Sequence, residues 1–371
     1  MTTKKSTAKK QTPMMKQYTR IKSRHQDKVL FFRMGDFYEM FGEDAKIASR
    51  VLDLVLTTRS KDKDAIPLAG IPHHSVDTYL ARMIKAGYKV AICEQVEDPA
   101  QAKGVVKREV TRVVTPGTLI DEPLIPGKKN NYLASVSGRR DRTGIALCDI
   151  STGELSTGEF PAARALDILA AFTPSECVFP EQRESEFSFL PLLRDRYDCS
   201  LTPWPDYTFS PDTGLEDLKK HLQVTSLRGF GISEEMDTAQ AALSGLFSYL
   251  MDTQKGVLGQ ITAVRELSRK GHLIVDRTSL QNLEIFSARG ERGTSLIDAL
   301  DDTVTAAGAR LLRQWVRQPL LSTTEIEHRL DCVEELTRNE SMLTETRRVL
   351  ASMYDIERLI TRISCKRANA R

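Results

Sequence analysis

The spacing of apolar residues changes along this chain, and the order of the two patterns limits the folds that the chain can adopt. Up to about residue 256, short apolar runs typical of buried strands alternate with apolar residues spaced three or four apart, as in amphipathic helices. From about Thr278 to Arg371 the helical spacing continues with few strand signals. Because 371 residues also exceed one ordinary core, the sequence predicts a multidomain chain, α/β at first and all-α at its end.

The first α/β block follows a polar, low-complexity segment, residues 1–11, which we predict to be a disordered basic tail. Thr12 and Pro13 form a helix start, and Val29 to Met34 is a buried strand that ends at a Gly-Asp turn. Beyond the turn, apolar residues recur at helical spacing: Tyr38, Phe41, Ala45, Ala48, Leu52 and Val55. This spacing predicts that the turn leads directly into a helix, with Phe37 in the turn.

A Pro/Gly-rich stretch from Thr115 to Lys129 is the best candidate boundary in the first half. We therefore predict a first domain over 12–128, a second α/β domain over 129–256 and a helical segment over 257–371. The second domain is expected to begin with strands from Tyr132, separated by turns at Ser137-Gly138 and Thr152-Gly153.

Charge is concentrated at the front of the chain. Residues 1–30 carry a net charge of +8 and the remainder −5. A basic front end is typical of proteins that bind phosphate backbones, although it is equally typical of a solubilising leader. Charge and position alone nominate six side chains as DNA-backbone contacts: Lys9, Lys10, Lys16, Arg33, Lys107 and Arg108. Each of them is also compatible with an ordinary solvated side chain.

Cysteine and histidine spacing gives no metal or disulfide signature. The six cysteines lie at least 22 positions apart, so we interpret them as reduced, buried thiols. His73 and His74 are adjacent, which in an extended segment points them apart, and we predict no metal site. No apolar run is long enough to span a membrane and the N-terminus lacks a secretory signal pattern, so a cytoplasmic location without membrane contact is expected.

The segment from Phe32 to Phe41, with the sequence FRMGDFYEMF, closely resembles the mismatch-recognition motif of the MutS family of DNA repair proteins. Seven further segments are similar to the family in order and spacing: Pro67–His74, Val90–Gln95 with Asp98–Pro99, Arg112–Thr118, Asp149–Glu154, Asn282–Ile285, Gln318–Leu320 and Asp355–Leu359. The similarity runs from about Thr12 to Arg371.

This resemblance implies three parts: an α/β mismatch-recognition domain, an α/β connector domain with an RNase H-like fold, and the first part of an all-α lever and core segment. It also implies double-stranded DNA with mispairs or small loops as the ligand, with MutL and a second MutS subunit as partners. The full-length family binds ATP and Mg²⁺. Since no Gly-Lys-Ser or Gly-Lys-Thr occurs here, a phosphate-binding loop is missing, and we expect an N-terminal fragment without ATPase activity or a cofactor of its own.

The resemblance assigns mismatch binding to Phe37 and Glu39. A protein that detects a mispair has to sense how easily the duplex deforms, and an aromatic wedge such as Phe37 does so by entering between base steps. Near phosphates a neutral Glu39 is favoured over a charged one, and as a donor it would hydrogen-bond the displaced base. The alternatives from the residues alone are a core aromatic for Phe37 and a surface acid in a first helical turn for Glu39.

Two other function classes remain open from the sequence. The RNase H resemblance of the connector allows a metal-dependent nuclease that uses Asp149, Glu154 and Asp167. A MutS relative that binds recombination or junction DNA is the second, although those branches generally lack the Phe-x-Glu pair present here.

Overall fold

The computed structural model describes residues 12–58, 65–98, 104–120, 124–267, 271–288 and 293–365. The chain forms two compact units: the first covers the residues up to Thr115 together with Thr253–Lys255, and the second covers Pro116–Asp252 and the residues from Gly256 onward.

The first unit is one mixed sheet with helices on both faces. Its elements in chain order are α1 (Pro13–Lys22), β1 (Val29–Met34), β2 (Phe37–Phe41), α2 (Glu43–Leu52), β3 (Thr57–Thr58), β4 (Pro67–Pro72), α3 (Val76–Lys85), β5 (Val90–Gln95) and β6 (Arg108–Val114). The strand order is β3-β4-β2-β1-β5-β6. β1 and β5 are parallel, and the other neighbours are antiparallel.

Helix α1 forms as the sequence predicts, because Thr12 caps it. The Thr12 hydroxyl accepts from the backbone N–H of Met15, and Pro13 occupies the first turn. The apolar side of α1 presents Tyr18 and Ile21 to Leu30 and Phe32 of β1, and all four are buried. This packing covers one face of the sheet.

A strand, β2, lies directly after the Gly-Asp turn, where the sequence predicts a helix. Residues Phe37–Phe41 are a strand paired on both sides, with β1 and with β4, and the helix begins only at Glu43. The strand ends at Phe41, because the following Gly42 has a φ of +61° that breaks the extended backbone. The helical spacing holds for Ala45, Ala48 and Leu52, whereas Val55 lies beyond the end of α2 and is exposed. Tyr38 and Phe41 belong to a strand, where sheet pairing overrides the spacing.

The second unit begins with another mixed sheet. Its elements are β7 (Tyr132–Arg139), β8 (Arg142–Asp149), β9 (Glu154–Pro161), α4 (Ala165–Phe172), β10 (Glu176–Pro180), α5 (Leu190–Tyr197), β11 (Ser200–Trp204), α6 (Pro211–Leu222), α7 (Asp237–Thr253) and β12 (Arg265–Glu266). The strand order is β11-β10-β7-β8-β9-β12. α6 and α7 pack on one face of this sheet, and α4 and α5 on the other.

The first turn of this sheet lies three residues beyond the predicted position. Ser137 and Gly138 are inside β7, and the reversal falls at Arg140 and Asp141, where Arg140 has a φ of +58°. The second turn lies at Thr152 and Gly153 as predicted, with Gly153 at a φ of +78°. Both turns connect antiparallel strands.

The end of the chain is helical, as its periodicity predicts. The helices are α8 (Arg277–Asn282), α9 (Leu296–Leu300), α10 (Ala306–Arg317), α11 (Thr323–Arg338), α12 (Glu340–Ala351) and α13 (Ile356–Ser364). The predicted helix end at Arg371 lies outside the described residues.

The cysteines are free thiols. Four of them, Cys93, Cys148, Cys177 and Cys199, are buried as predicted, whereas Cys332 is exposed on α11 and Cys365 is only partly buried. Burial raises the pKa of Cys93 to about 12. Across the described part of the chain, no helix combines the length and apolar character needed to cross a membrane.

Candidate functional site

Phe37 opens strand β2 directly after the two-residue turn at Gly35 and Asp36. It pairs with Met34 across the hairpin and with Pro72 on the other side. Gly35 has a φ of +57°, a conformation that costs glycine little and other residues more. The Arg33 Nε donates to the Gly35 carbonyl at 2.5 Å, so the turn that carries Phe37 is held by its own strand.

The side chain of Phe37 is 50% exposed, although the strand around it is buried. Alternation along β2 places Phe37, Glu39 and Phe41 on one face, and Tyr38 and Met40 on the other. Phe41 is covered by Tyr18 of α1, with ring centroids 4.8 Å apart. Phe37 lies beyond that cover, so its ring stands at the uncovered end of a packed face.

The opposite face fixes the strand beneath Phe37. The Tyr38 hydroxyl donates to Glu94 of β5, and Arg33 lies 5.5 Å from the centroid of the Tyr38 ring. Burial, followed by the hydrogen bond to Glu94, raises the pKa of Tyr38. Tyr38 is 2% exposed, and it ties β2 to β5 across β1.

Glu39 is partly buried on the same face as Phe37, opposite Phe32 of β1 and Gly70 of β4. Gly70 is exposed and has no side chain, which leaves space beside the Glu39 carboxylate. Burial lowers the pKa of Arg108, and the negative charge of Glu39 is among the effects that oppose this. A half-exposed aromatic ring and a carboxylate therefore share one open patch, two residues apart.

Arg108 has an interior position that its charge did not indicate. It is 5% exposed, and its guanidinium donates to the carbonyls of Arg33 at 2.6 Å and Val106 at 2.8 Å. The guanidinium also lies 5.1 Å from the centroid of the Phe32 ring. These contacts tie β6 to β1 and do not favour the phosphate-binding role predicted from sequence.

Lys16 and Lys107 are exposed at the Phe37 end of the sheet. β1 and β5 both end there and β2 begins there, so the segment before β6 that contains Lys107 lies at the same edge. Lys16 precedes Gln17, whose side chain accepts from Arg108 at 3.3 Å. Lys107 pairs with Glu109 at 2.7 Å. Lys9 and Lys10 lie outside the described residues.

Comparisons with known proteins identify the family. Models of MutS domain I, MutS domain II and MutS domain III match residues 12–123, 131–262 and 278–371. The chain belongs to the MutS family. The match to MutS domain I includes Phe37 and Glu39, and the three matches together make this a multidomain chain with two mixed α/β sheets and a helical segment at its end.

Individual MutS relatives agree over nearly the whole chain. DNA mismatch repair protein MutS of Syntrophomonas wolfei is 45% identical over 367 residues, which is 97% of this chain and 43% of the relative. The corresponding proteins of Methanococcoides burtonii and Halothermothrix orenii are 42% and 41% identical, over 98% of this chain. The chain spans less than half the length of these relatives.

The carboxylates proposed for a nuclease do not form one cluster. Asp149 is buried and accepts from Asn130, from the Asn131 N–H and from both the N–H and the hydroxyl of Ser151. Glu154 pairs with Asp149 across β8 and β9, whereas Asp167 pairs with Arg164 on the surface of α4. In the described part of the chain no three His, Cys, Asp or Glu side chains are grouped so that they could hold a metal ion.

Glu154 gives a pH prediction that is independent of DNA. Burial and the neighbouring Asp149 raise the pKa of Glu154, so between its unfolded and its folded pKa the folded chain holds a proton that the unfolded chain releases. The contribution of Glu154 to stability is therefore lost as pH rises from its unfolded pKa through its folded pKa. In thermal unfolding, we expect the Glu154→Gln variant to be more stable than wild type at pH 8. At pH 5 we expect this difference to be smaller. The exposed Glu216→Gln variant is the control, and a pH-independent difference for Glu154→Gln would contradict the assignment.

The sequence predicts Phe37 within the turn that leads into a helix, whereas Phe37 is the first residue of β2, directly after the two-residue turn. The contributions of Gly70 and Tyr38, which shape the patch from the neighbouring strand and from the opposite face, were not predicted. The signal was present: two apolar runs separated by the two residues Gly-Asp are typical of a β-hairpin.

Proposed function

We propose that this chain recognises mispaired bases and small insertion or deletion loops in double-stranded DNA, with Phe37 as the wedge and Glu39 as the hydrogen-bonding partner of the displaced base. The observation that carries the proposal is the half-exposed Phe37 ring on an otherwise buried central strand. The names of the relatives, DNA mismatch repair protein MutS, support the same function.

A wedge works only if it does not yield when it meets the duplex. Phe37 meets this requirement because its backbone is paired with strands on both sides and the turn before it is held by Arg33. Entering between base steps costs a few kcal/mol of unstacking. A mispaired step has already lost part of that stacking, so a rigid ring enters there at lower free energy than in paired DNA.

Glu39 supplies discrimination of a different kind. Its carboxylate stands two residues from Phe37 on the same face, so a ring that enters the duplex brings the carboxylate toward the displaced base. Against a normal pair, the negative charge repels the phosphates and finds no released base to bind. Phe37 therefore detects a base step that unstacks easily, and Glu39 disfavours insertion at a normally stacked step.

The Glu39→Gln variant is expected to bind mispaired DNA as tightly as wild type or more tightly, and to bind paired DNA more tightly. The amide removes the repulsion and keeps a donor for the base. The measurement is fluorescence anisotropy with labelled G·T and G·C duplexes. Glu43→Gln, which removes one exposed charge at the start of α2, is the matched control. Weaker binding of Glu39→Gln to both duplexes would contradict this role.

The proposal is tested by comparing the binding of the 371-residue chain to four DNAs at low salt: a G·T mispair, a one-base loop, a fully paired duplex and a four-way junction. We expect the mispair and the loop to be preferred over the paired duplex. Preference for the junction would instead support the recombination-type alternative. Exposed Lys16 and Lys107 are the described side chains that we propose for the phosphate backbone, so affinity is expected to fall as salt increases.

For the second unit we propose the connector role and an RNase H-like fold. Support comes from the strand order β11-β10-β7-β8-β9, in which an antiparallel β7-β8-β9 meander is extended by parallel β10 and β11 with helices on both faces. Coupling to ATP and Mg²⁺, MutL and a second MutS subunit are proposals for the longer protein of this family, and the absent phosphate-binding loop favours a non-hydrolytic role for these 371 residues.

A further inference from the structure

A cavity of about 560 Å³ in the second unit has an unusually basic wall. It lies between the ends of α4 and α5 and the helices α8 and α10. Six cationic side chains line it: Lys129, Arg194, Arg196, Arg277, Arg313 and Arg317. The two acids in the wall are Asp195 and Asp198, and Asp195 is already paired with Arg194 at 2.9 Å. The cavity wall therefore carries a net positive charge that its own acids do not balance.

Three of these arginines have unused donors. Arg313 is 8% exposed, and within the described residues its Nε has no hydrogen-bond partner, while its Nη2 lies 3.5 Å from Asp298. The Nη1 atoms of Arg277 and Arg317 are likewise buried and unpartnered among the described residues. Burying a guanidinium without full pairing is unfavourable, so the fold tolerates a deficit of negative charge at this place.

Aromatic rings hold one of these arginines in the wall. The Arg317 guanidinium lies 4.7 Å from the ring centroid of Phe172, 5.5 Å from Tyr132 and 5.6 Å from Phe286, and its Nε donates to the Ala171 carbonyl at 2.8 Å. Ring faces offset part of the positive charge without neutralising it. They also give the cavity flat apolar surfaces beside its cationic ones, since all three rings line it.

We propose that this cavity binds a phosphate-bearing small molecule of nucleotide size. Arginine forks match the oxygen geometry of phosphate, and the five arginines that line the cavity can offer a phosphate several charge-assisted hydrogen bonds. The volume falls within the range of small-ligand sites, and the rings offer a stacking surface for a base. A DNA duplex is far too wide to enter such a cavity, so this site is separate from the patch around Phe37.

The test is isothermal titration calorimetry of the 371-residue chain, at constant ionic strength, with four probes: inorganic phosphate, pyrophosphate, AMP and adenosine. AMP binding with weaker or absent adenosine binding is the expected result, because the phosphate supplies the charge. Tighter binding of AMP than of inorganic phosphate or pyrophosphate would show that the aromatic rings contact the base. Equal affinity for AMP and inorganic phosphate would show that the cavity binds only phosphate, and would overturn the proposal of a nucleotide-sized ligand. No binding of any phosphate at millimolar concentration overturns the proposal.

Charge-matched variants separate the cavity from general attraction. Arg313→Gln and Arg277→Gln are each expected to weaken AMP binding by about tenfold or more, since each removes a charged donor from the wall. Arg338→Gln removes the same charge from the exposed surface of α11 and is expected to leave affinity within about twofold. Equal weakening in all three variants would show nonspecific attraction and overturn the proposal. Arg277 is less buried than Arg313, so its variant keeps the test valid if Arg313→Gln does not fold.

Discussion

Replacement of Phe37 by alanine is expected to remove most of the preference for a G·T mispair over a paired duplex. Stacking of a base on an aromatic side chain contributes about 1–3 kcal/mol, so the loss corresponds to roughly five- to 150-fold in affinity for the mispair. Affinity for paired DNA is expected to change little, because the ring does not insert there. The measurement is the ratio of dissociation constants for the two duplexes, at one salt concentration.

Stability does not confound this experiment. Phe37 is 50% exposed, so truncation removes little buried surface and leaves the backbone pairing of β2 intact. The matched control is Ile66→Ala, which truncates another apolar residue of similar exposure, 46%, just before β4 at the opposite end of the sheet. An unchanged discrimination ratio in Phe37→Ala, or an equal loss in Ile66→Ala, would refute the wedge.

Local signals predicted those elements whose causes are local. Thr12 with Pro13 starts a helix by capping, and the observed α1 begins there. The helical spacing of the last hundred residues likewise reflects side chains that share one face within each helix, and it gave the right class for α10 to α13. In both cases the decisive contacts lie within a few residues along the chain.

Strand β2 shows where that reasoning stops. Tyr38 and Phe41 fit a helical stripe that continues into α2, and no local rule separates them from Ala45. The decision comes from pairing with β1 and with β4, whose partners lie up to 35 positions away in sequence. The Gly-Asp turn was the one local sign of a hairpin, and it indicates the register in which Phe37 becomes the first residue of the returning strand.

The candidate site was predictable as a pair of residues but not as a surface. The motif resemblance nominated Phe37 and Glu39, and both lie on one open face. Charge nominated Arg108 equally with Lys107, yet one is buried beneath the sheet edge and the other is exposed. Neighbours in sequence differ in this way because strand alternation and distant partners decide the exposure of a charged side chain.

A second large effect is expected for Arg310 of α10. Its guanidinium binds the Asp355 carboxylate with two hydrogen bonds of 2.8 Å and also reaches Glu357 and the Gly127 carbonyl. The Arg310 and Asp355 side chains are only 5% and 10% exposed. Arg310→Met fills similar space but leaves a buried carboxylate without its main partner, which destabilises proteins by about 3–5 kcal/mol. Urea unfolding, monitored by circular dichroism, measures the loss.

Two comparisons test whether the missing partner causes the loss. The double variant Arg310→Met with Asp355→Asn is expected to recover much of the stability, because it removes the uncompensated charge and keeps an oxygen for the cap of α13. Arg338→Met, which breaks an exposed ion pair with Glu334, is expected to change stability only slightly. A double variant as unstable as Arg310→Met would point to lost packing instead.

The pH dependence of the stabilisation by Arg310 and Asp355 provides an independent test. Burial by itself raises the pKa of Asp355, but the hydrogen bonds and charge of Arg310 outweigh it and lower the pKa below its unfolded value. The stabilisation from this pair is thus complete above about pH 4 and is lost as pH falls through the folded pKa. The free-energy difference between wild type and Arg310→Met is expected to be largest near neutrality and to shrink on acidification. A difference that grows toward low pH would mean that Arg310 does not hold Asp355 in its charged form.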